Sequence, residues 1–180
     1  MVYVFLADGF ETVEALCPVD VLRRAGLELK TVSITKELAV ESRQGVRVVC
    51  DALLDEVRLE DARLLLLPGG MPGADNLAAC TELCTLLTEA DQKGILLGAI
   101  CAAPYVLGRL GILKGKRATC YPGFEDRLEG AVIDNEKVVA DKNCITAAGM
   151  GVSLEFSLAL VSALCSPESA GQIRSSVIAD

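Results

Sequence analysis

Strand-type and helix-type segments alternate along this chain, and no other feature restricts its possible folds so strongly. Continuous apolar runs such as VYVFLA, RLLLLPGG and ILLGAIC are typical of strands buried on both faces. Segments with helical spacing of apolar residues lie between them, among them ETVEALCPVDVLRRAG and NLAACTELCTLLTEADQKG. This alternation predicts an α/β fold with a mostly parallel sheet and helices on both faces. No linker or repeat interrupts it, so we expect a single domain over residues 1–180.

The remaining segments extend the same pattern. LELKTVSI and VRVVCDA are predicted strands before RLLLLPGG, and AAPYVLGRLG is a predicted short helix after ILLGAIC. Four short strands are then expected at KRATC, AVID, KVVAD and CITAA. SLEFSLALVSALC predicts a long helix, and Ser166 and Pro167 are suited to the cap and first turn of a final helix.

Charge and hydropathy exclude two classes of partner. The chain carries 17 basic and 25 acidic residues, a net charge of -8, and the basic residues are scattered, which argues against a nucleic-acid surface. No apolar run reaches the roughly 18 residues that a membrane-spanning helix needs. The first residues, MVYVFLADGF, lack the basic start and cleavage site of a signal peptide. We therefore expect a soluble, cytoplasmic protein with no membrane or nucleic-acid partner.

Eight cysteines and no histidine bear on metal and disulfide chemistry. Secreted disulfide scaffolds are usually shorter and carry an export signal. The most closely spaced cysteines, Cys80 and Cys84, are four residues apart, and neither a second close pair nor a histidine completes a zinc site. We expect no bound metal, and we interpret most of the thiols as small core residues.

Two apolar strands end in sequences suited to a ligand site. LLLLPGGMPGA ends in glycines, and LLGAICAAP ends at Cys101. Because parallel strands present their carboxyl ends at one edge of a sheet, where such folds bind ligands, we expect these ends to be neighbours. The small residues around Cys101 suit a sharp strand–turn–helix elbow, and the N–H groups and dipole of the next helix would lower the pKa of its thiol. The alternative is a buried, inert strand-end cysteine.

A nucleophilic cysteine needs a proton acceptor, and without histidine the candidates are carboxylates. Glu14 stands in the first predicted helix, four residues before Pro18. Pro18 lacks the N–H that would bond to the Glu14 carbonyl, and its ring crowds that carbonyl, so the helix is disturbed beside an acid. The alternative is a solvated helix residue beside an incidental disturbance.

Four segments together resemble the ThiJ/PfpI superfamily, in the branch of the parkinsonism-associated protein deglycase and its bacterial relatives: LADGFETVEALCPVDVLRRAG, LLLLPGGMPGADNL, LLGAICAAPYVL and TCYPGFED. The resemblance runs from the first strand to the last helix in the same order. It implies a flavodoxin-like three-layer sandwich, class I glutamine amidotransferase-like, with a nucleophile-elbow cysteine, and usually a homodimer.

The resemblance also implies roles for individual residues. Cys101 corresponds to the reactive cysteine and Glu14 to the carboxylic acid hydrogen-bonded to it, and the backbone N–H groups of Gly70 and Ala102 would form an anion pocket. A Glu14 kept protonated by burial would donate a hydrogen bond to sulfur and stabilise the thiolate, and it would stabilise a sulfinate in the same way.

Four further positions are candidate substrate or anion contacts. Arg24 and Arg43 match basic residues near the site mouth and dimer contact of this branch; alternatively, Arg24 complements the end of its helix and Arg43 lies in a solvated loop. Tyr121 stands where many relatives have a histidine, which puts a Cys–His protease mechanism in doubt. Met150 replaces the proline usual in the family's Gly-Pro-Gly turn, beside Gly149, which we expect to line the pocket.

Two functions from different classes follow. The first is an enzyme without metal or organic cofactor, in which Cys101 attacks a small 2-oxoaldehyde such as methylglyoxal, or its adducts on proteins, and a 2-hydroxy acid is released. The second is a redox-responsive stress protein or chaperone that signals through oxidation of Cys101, with Cys120 either a resolving thiol or a plain strand residue. A third label common among such relatives, thiazole monophosphate biosynthesis, has no support, because PGGMPGA lacks the Lys and Ser/Thr of a P-loop.

Overall fold

A computed structural model describes residues 1–179 of the chain. The strands, numbered β1 to β11 in chain order, are Val2–Leu6, Leu29–Ser33, Ala39–Glu41, Arg47–Val49, Ala52–Leu53, Leu64–Leu67, Leu96–Ile100, Arg117–Ala118, Val132–Ile133, Val138–Asp141 and Cys144–Ala147. The helices, α1 to α6, are Thr12–Arg24, Gly73–Ala79, Thr81–Gln92, Pro104–Arg109, Ser153–Leu164 and Pro167–Ser176.

The central sheet has seven strands in the order β10-β11-β7-β6-β1-β2-β5. Every neighbouring pair is parallel except β10 with β11, which is antiparallel at the edge of the sheet. The two remaining pairs, β3 with β4 and β8 with β9, form small separate sheets. The mostly parallel sheet predicted from the sequence is confirmed.

Helices cover both faces of this sheet, because its strands present apolar side chains on both. Val4, Leu66 and Phe156 belong to the cluster beneath α1, α5 and α6. Phe5 and Leu65 belong to the opposite cluster, beneath α2, α3 and α4. Each of these side chains is fully buried, which stabilises the fold by about 1.5–3 kcal/mol per residue. The result is the expected flavodoxin-like three-layer α/β sandwich.

Local structure differs from the expectation at three places. The long helix predicted over NLAACTELCTLLTEADQKG is two helices, because Cys80 adopts an extended ψ of 100° between α2 and α3. VRVVCDA is divided between β4 and β5, and β3 was not predicted. The final helix begins as expected, since the Ser166 hydroxyl accepts a hydrogen bond from the Ser169 N–H at 3.2 Å.

The cysteines are less buried than expected. All eight are free thiols, but only Cys50, Cys120 and Cys144 are buried, and Cys165 is exposed. Cys17 and Cys80 are half-buried and pack against the two core clusters, so the interpretation as core residues is wrong only for Cys84 and Cys165, apart from Cys101 at the elbow. Within residues 1–179, the helices are all too short or too polar to cross a membrane.

The site is located by the strand order. β1 lies between β2 and β6, and the chain leaves β1 for α1 on one face and β6 for α2 on the other. A crevice therefore opens beyond the carboxyl ends of β1 and β6, where open α/β sheets bind ligands. β7 pairs with β6 in parallel, with Leu67 opposite Ala99, so the predicted neighbouring strand ends do meet at this edge.

Candidate active site

Cys101 occupies the sharp elbow predicted for it. β7 ends at Ile100, and Cys101 adopts a φ of +63°, a left-handed conformation that costs a non-glycine residue about 1–3 kcal/mol. Its N–H donates to the Ala147 carbonyl at 2.8 Å, and its carbonyl accepts from the Tyr121 N–H at 2.8 Å. These two bonds hold the strained residue, and the thiol remains partly exposed. The alternative of a fully buried strand-end cysteine is wrong.

Glu14 lies in the first turn of α1, and its carboxyl faces Cys101. Its side chain is 1% exposed, although it is an acid, and its Oε2 accepts a hydrogen bond from the Gly69 N–H at 3.0 Å. The Glu14 carboxyl lies beside Cys101, on the other side of Gly69, and each of the two groups shifts the pKa of the other. The alternative of a solvated Glu14 is therefore wrong. α1 continues through Pro18 without interruption.

The glycine turn after β6 makes this approach possible. A Cβ on Gly69 would lie 2.6 Å from Glu14 Oε2 and 2.7 Å from Cys101 Cβ, so a side chain there would separate acid from thiol. Gly70 has a φ of +89°, and its Cβ would lie 2.4 Å from the Glu11 nitrogen. The sequence singled out Gly70, but Gly69 is the residue that lies between the two reactive groups.

Two backbone N–H groups next to the sulfur influence its protonation. They belong to Gly70, in the turn after β6, and to Ala102, directly after the elbow. Both lower the pKa of the Cys101 thiol, because a donated hydrogen bond stabilises the thiolate.

Glu14 and Cys101 each shift the pKa of the other. Burial raises the pKa of Glu14 to about 7, with repulsion from Glu11 in the same direction, while hydrogen bonds from Cys101 and Gly69 oppose it. Burial also raises the pKa of Cys101 to about 12, together with repulsion from an ionised Glu14 and the hydrogen bond to it. The two groups therefore lose their protons in two steps, and between those steps the pair shares one proton and one negative charge.

One expectation about the thiol needs correction. A helix dipole directly behind Cys101 was expected to lower its pKa, but α4 begins only at Pro104 and has six residues. The sulfur instead meets two single N–H groups and an acid, and with Glu14 ionised the thiol pKa is raised. A thiolate at neutral pH therefore requires the proton to sit on Glu14.

Tyr121, Met150 and Gly149 form one side of the site. The ring of Tyr121 is about half exposed, and its Cδ2 lies 3.4 Å from where a Gly149 Cβ would be. The Met150 N–H, which the family's usual proline would lack, acts to lower the pKa of Glu14. Cys120 next to Tyr121 is 5% exposed and packed in the core, and burial raises its pKa to about 11, which favours a structural role.

The two candidate arginines lie in different places. Arg24 is ten residues beyond Glu14, about 15 Å along α1 and at the opposite end of that helix, where it pairs with Asp20 at 2.7 Å. Within this chain the structure does not bring Arg24 to the site. Arg43 lies at the site end, with its N–H bonded to the Phe10 carbonyl at 2.9 Å and its side chain exposed.

Sequence reasoning missed one acid at this edge. Glu11 caps α1, and its Oε2 accepts the Glu14 N–H at 2.7 Å. Its N–H donates to the Gly69 carbonyl at 2.9 Å, so it also holds the glycine turn. A glutamate three residues before another near a helix start is a recognisable signal, although glutamate is not among the favoured caps. In the described residues 1–179, no three His, Cys, Asp or Glu side chains are grouped as metal ligands.

The chain matches known proteins over nearly its whole length. The model of the DJ-1/PfpI family matches residues 1–163. "Protein DJ-1 homolog B" of Arabidopsis thaliana is 35% identical over 96% of this chain, which spans only 40% of that relative. "Glutathione-independent glyoxalase DJR-1.2" of Caenorhabditis elegans is 36% identical over 88% of this chain and 84% of that protein. The solved structure "Toxoplasma gondii DJ-1, oxidized" is 33% identical, with a TM-score of 0.94 over 98% of this chain and 97% of that one.

Proposed function

This chain belongs to the DJ-1/PfpI family, and we propose that it is a cysteine-dependent enzyme of the glyoxalase or deglycase type, acting on small 2-oxoaldehydes or their adducts without a cofactor. The observation that carries the proposal is the contact of the buried Glu14 carboxyl with the partly exposed Cys101 thiol beside two backbone N–H groups. The C. elegans relative, named a glutathione-independent glyoxalase, supports the same reaction class.

The shared negative charge belongs on the sulfur in the reactive state. A charge costs less where water and N–H donors reach it, and Cys101 is partly exposed and faces Gly70 and Ala102. Glu14 is almost fully buried and lies beside the acidic Glu11, so its neutral form is favoured. A thiolate beside a neutral carboxylic acid combines a nucleophile with a proton donor.

The reaction then needs only this pair and water. The Cys101 thiolate attacks the aldehyde carbon of methylglyoxal, and Glu14 gives its proton to the oxygen that becomes the hemithioacetal hydroxyl. The N–H groups of Gly70 and Ala102 lie beside the developing oxyanion, a contribution of about 3 kcal/mol per donor in other enzymes. Glu14, now ionised, takes the proton from the former aldehyde carbon and returns it to the neighbouring carbon, while the hydroxyl proton passes to the neighbouring ketone oxygen, giving the lactoyl thioester. Water cleaves the thioester to lactate and regenerates the thiolate.

The direct test follows lactate formed from methylglyoxal by purified protein without glutathione. We expect turnover in the wild type and a loss of at least about 100-fold in Cys101→Ser and in Glu14→Gln. Cys165→Ser removes an exposed thiol far along the chain from the site and serves as the control with unchanged turnover. A wild type without turnover, or a Cys101→Ser variant with full turnover, would refute the enzyme proposal.

A second function is favoured by the exposure of Cys101. A partly exposed thiol with two N–H donors and an acid can also be oxidised by peroxide to a sulfinate, which the same groups would stabilise. The similar Toxoplasma gondii structure is named as an oxidised form of that protein. An absence of lactate combined with rapid, selective peroxide oxidation at Cys101 would favour this redox role over the enzyme.

A further inference from the structure

Glu11 is tied to three parts of the site although it contacts no sulfur. As the cap of α1 it accepts the Glu14 N–H at 2.7 Å, and its own N–H bonds to the Gly69 carbonyl at 2.9 Å. Its other carboxylate oxygen accepts the side-chain amide of Gln44 at 3.2 Å. Because three elements hold it, the Glu11 charge has a fixed place one helical turn from Glu14.

Gln44 in turn is fixed by the start of α1. Its Oε1 accepts the Thr12 hydroxyl at 2.9 Å and the Thr12 N–H at 3.3 Å. Gln44 lies in the turn between β3 and β4, so this small hairpin aligns the Glu11 carboxylate. Gln44 is neutral and leaves the charge of Glu11 uncompensated. Arg43 beside it forms no ion pair with Glu11 in the part of the chain that the structure describes.

Few other ionisable groups affect Glu14. From the elbow it meets the Cys101 thiol, and from its own helix it meets Glu11. The turn after β6 and the segment before α5 contribute backbone N–H groups, from Gly69 and Met150. Glu11 is therefore a fixed negative charge that acts on Glu14, and its carboxylate lies directly against the Glu14 N–H.

We propose that Glu11 is a positioning residue of this site: its charge keeps the shared proton on Glu14 and thereby leaves the negative charge on Cys101. This inference rests on the proposed function only for its biological meaning, because the reactivity of the thiol is measurable without any substrate. Burial is the main cause that raises the pKa of Glu14. Repulsion from Glu11 raises it further, which is the direction that the proposal requires. Removing the Glu11 charge stabilises an ionised Glu14, and the proton then moves to sulfur.

The test compares the pH profile of Cys101 alkylation by iodoacetamide in three variants. Glu11→Gln keeps an acceptor for the Glu14 N–H and removes the charge, and we expect its plateau rate to fall about two- to tenfold with a midpoint at lower pH. Glu11→Asp keeps charge and cap, and we expect a profile close to that of the wild type. Glu56→Gln is the matched control, because Glu56 also accepts a backbone N–H at a helix start, from Leu53 at 2.8 Å, and its profile should not change.

Two results would overturn the inference. A folded Glu11→Gln protein with the wild-type rate and midpoint would show that the charge is irrelevant. Glu11→Asp changing as much as Glu11→Gln would show that the residue acts through structure alone. Thermal unfolding of each variant confirms that it is folded. Lactate formation is not part of this readout, so failure of the enzyme proposal and failure of this inference are distinguishable.

Discussion

The carboxyl and amino ends of the parallel strands, here called the carboxyl edge and the amino edge of the sheet, each place a cysteine beside an ionisable partner. The two thiols differ in their exposure and in the charge of that partner. At the carboxyl edge, Cys101 is partly exposed and its partner is the buried acid Glu14. At the amino edge, Cys144 is 1% exposed at the start of β11, and the Lys116 amine lies 3.4 Å from its sulfur. A cation stabilises a thiolate and an anion repels it, so charge alone would make Cys144 the reactive one.

Burial and hydrogen bonding reverse that expectation. The Lys116 amine also donates to Asp91 at 2.7 Å and to Asn143 at 2.8 Å, so its charge is already compensated. Burial raises the pKa of Cys144 despite the nearby amine. At the other edge the acid is the more deeply buried partner, and the charge can move to the sulfur. Access to solvent and the place of the proton therefore determine reactivity more than the sign of the neighbouring charge.

The largest effect expected from this comparison is the contrast in alkylation. We expect iodoacetamide to modify Cys101 at least about 100-fold faster than Cys144 in the folded protein, because only Cys101 is accessible and shares its proton with an acid. Peptide mass spectrometry of a time course measures both rates in one sample. The contrast should disappear in denaturant, and equal rates in the folded protein would contradict the comparison.

Gly69→Ala tests the closeness of acid and thiol at the carboxyl edge. The new Cβ would lie 2.6 Å from Glu14 Oε2 and 2.7 Å from Cys101 Cβ, so we expect a loss of about 1–3 kcal/mol in the free energy of unfolding and slower Cys101 alkylation. Gly171→Ala, in α6 with open space around the added Cβ, is the control. It should gain about 0.5–1 kcal/mol by helix propensity. A stable Gly69→Ala protein with wild-type alkylation would refute the assigned geometry.

Lys116→Met tests the amino edge, where we assign a structural role only. It leaves Asp91 without its cation, so we expect a loss of about 1–3 kcal/mol in the free energy of unfolding and no change at Cys101. Burial lowers the pKa of Lys116, but Asp91 and Cys144 together raise it more, so the stabilisation is present below pH 10.5 and lost as pH rises above that value. Lys36→Met, at an exposed lysine, is the control for denaturant unfolding at pH 8.

The smallest of these effects is the change that Glu14→Gln makes in the pH dependence of the free energy of unfolding. The carboxyl pKa is raised from 4.5 to about 7, so the folded state holds a proton that the unfolded state releases. The wild type therefore loses stability as pH rises through this window, and the variant does not. We expect denaturant unfolding to show the variant gaining roughly 1–2 kcal/mol on the wild type between pH 4.5 and pH 8. A difference that does not depend on pH would mean that Glu14 is ionised in the folded protein.

The sequence was most informative where apolar pattern and local rules agree. The buried runs of β1, β6 and β7 and the helical spacing of α1 and α5 led to the layer order, because burial on two faces leaves little choice. The elbow at Cys101 was predictable because small residues, a cysteine and a proline occur together at a strand end. The break between α2 and α3 at Cys80 was not, since no glycine or proline marks it.

The electrostatics of the site were predictable only in part. The acid partner of Cys101 followed from the absence of histidine and from the family resemblance, and the structure brings the two together. The place of Gly69 between them and the anchoring of Glu11 by Gln44 depend on contacts between distant segments, which no local pattern encodes. The family resemblance placed Arg24 near the site mouth and dimer contact, and within this chain its helix carries it to the far end of α1.

The place of the shared proton is tested most directly by titrating the ultraviolet absorbance of the Cys101 thiolate. The signal is the difference between the wild type and Cys101→Ser over the pH range from 4 to about 12. We expect the thiolate to appear well below pH 12, because the first proton lost by the pair leaves the sulfur while Glu14 stays neutral. A thiolate that appears only as the pH approaches about 12 would show that Glu14 takes the charge first, and would contradict the assignment.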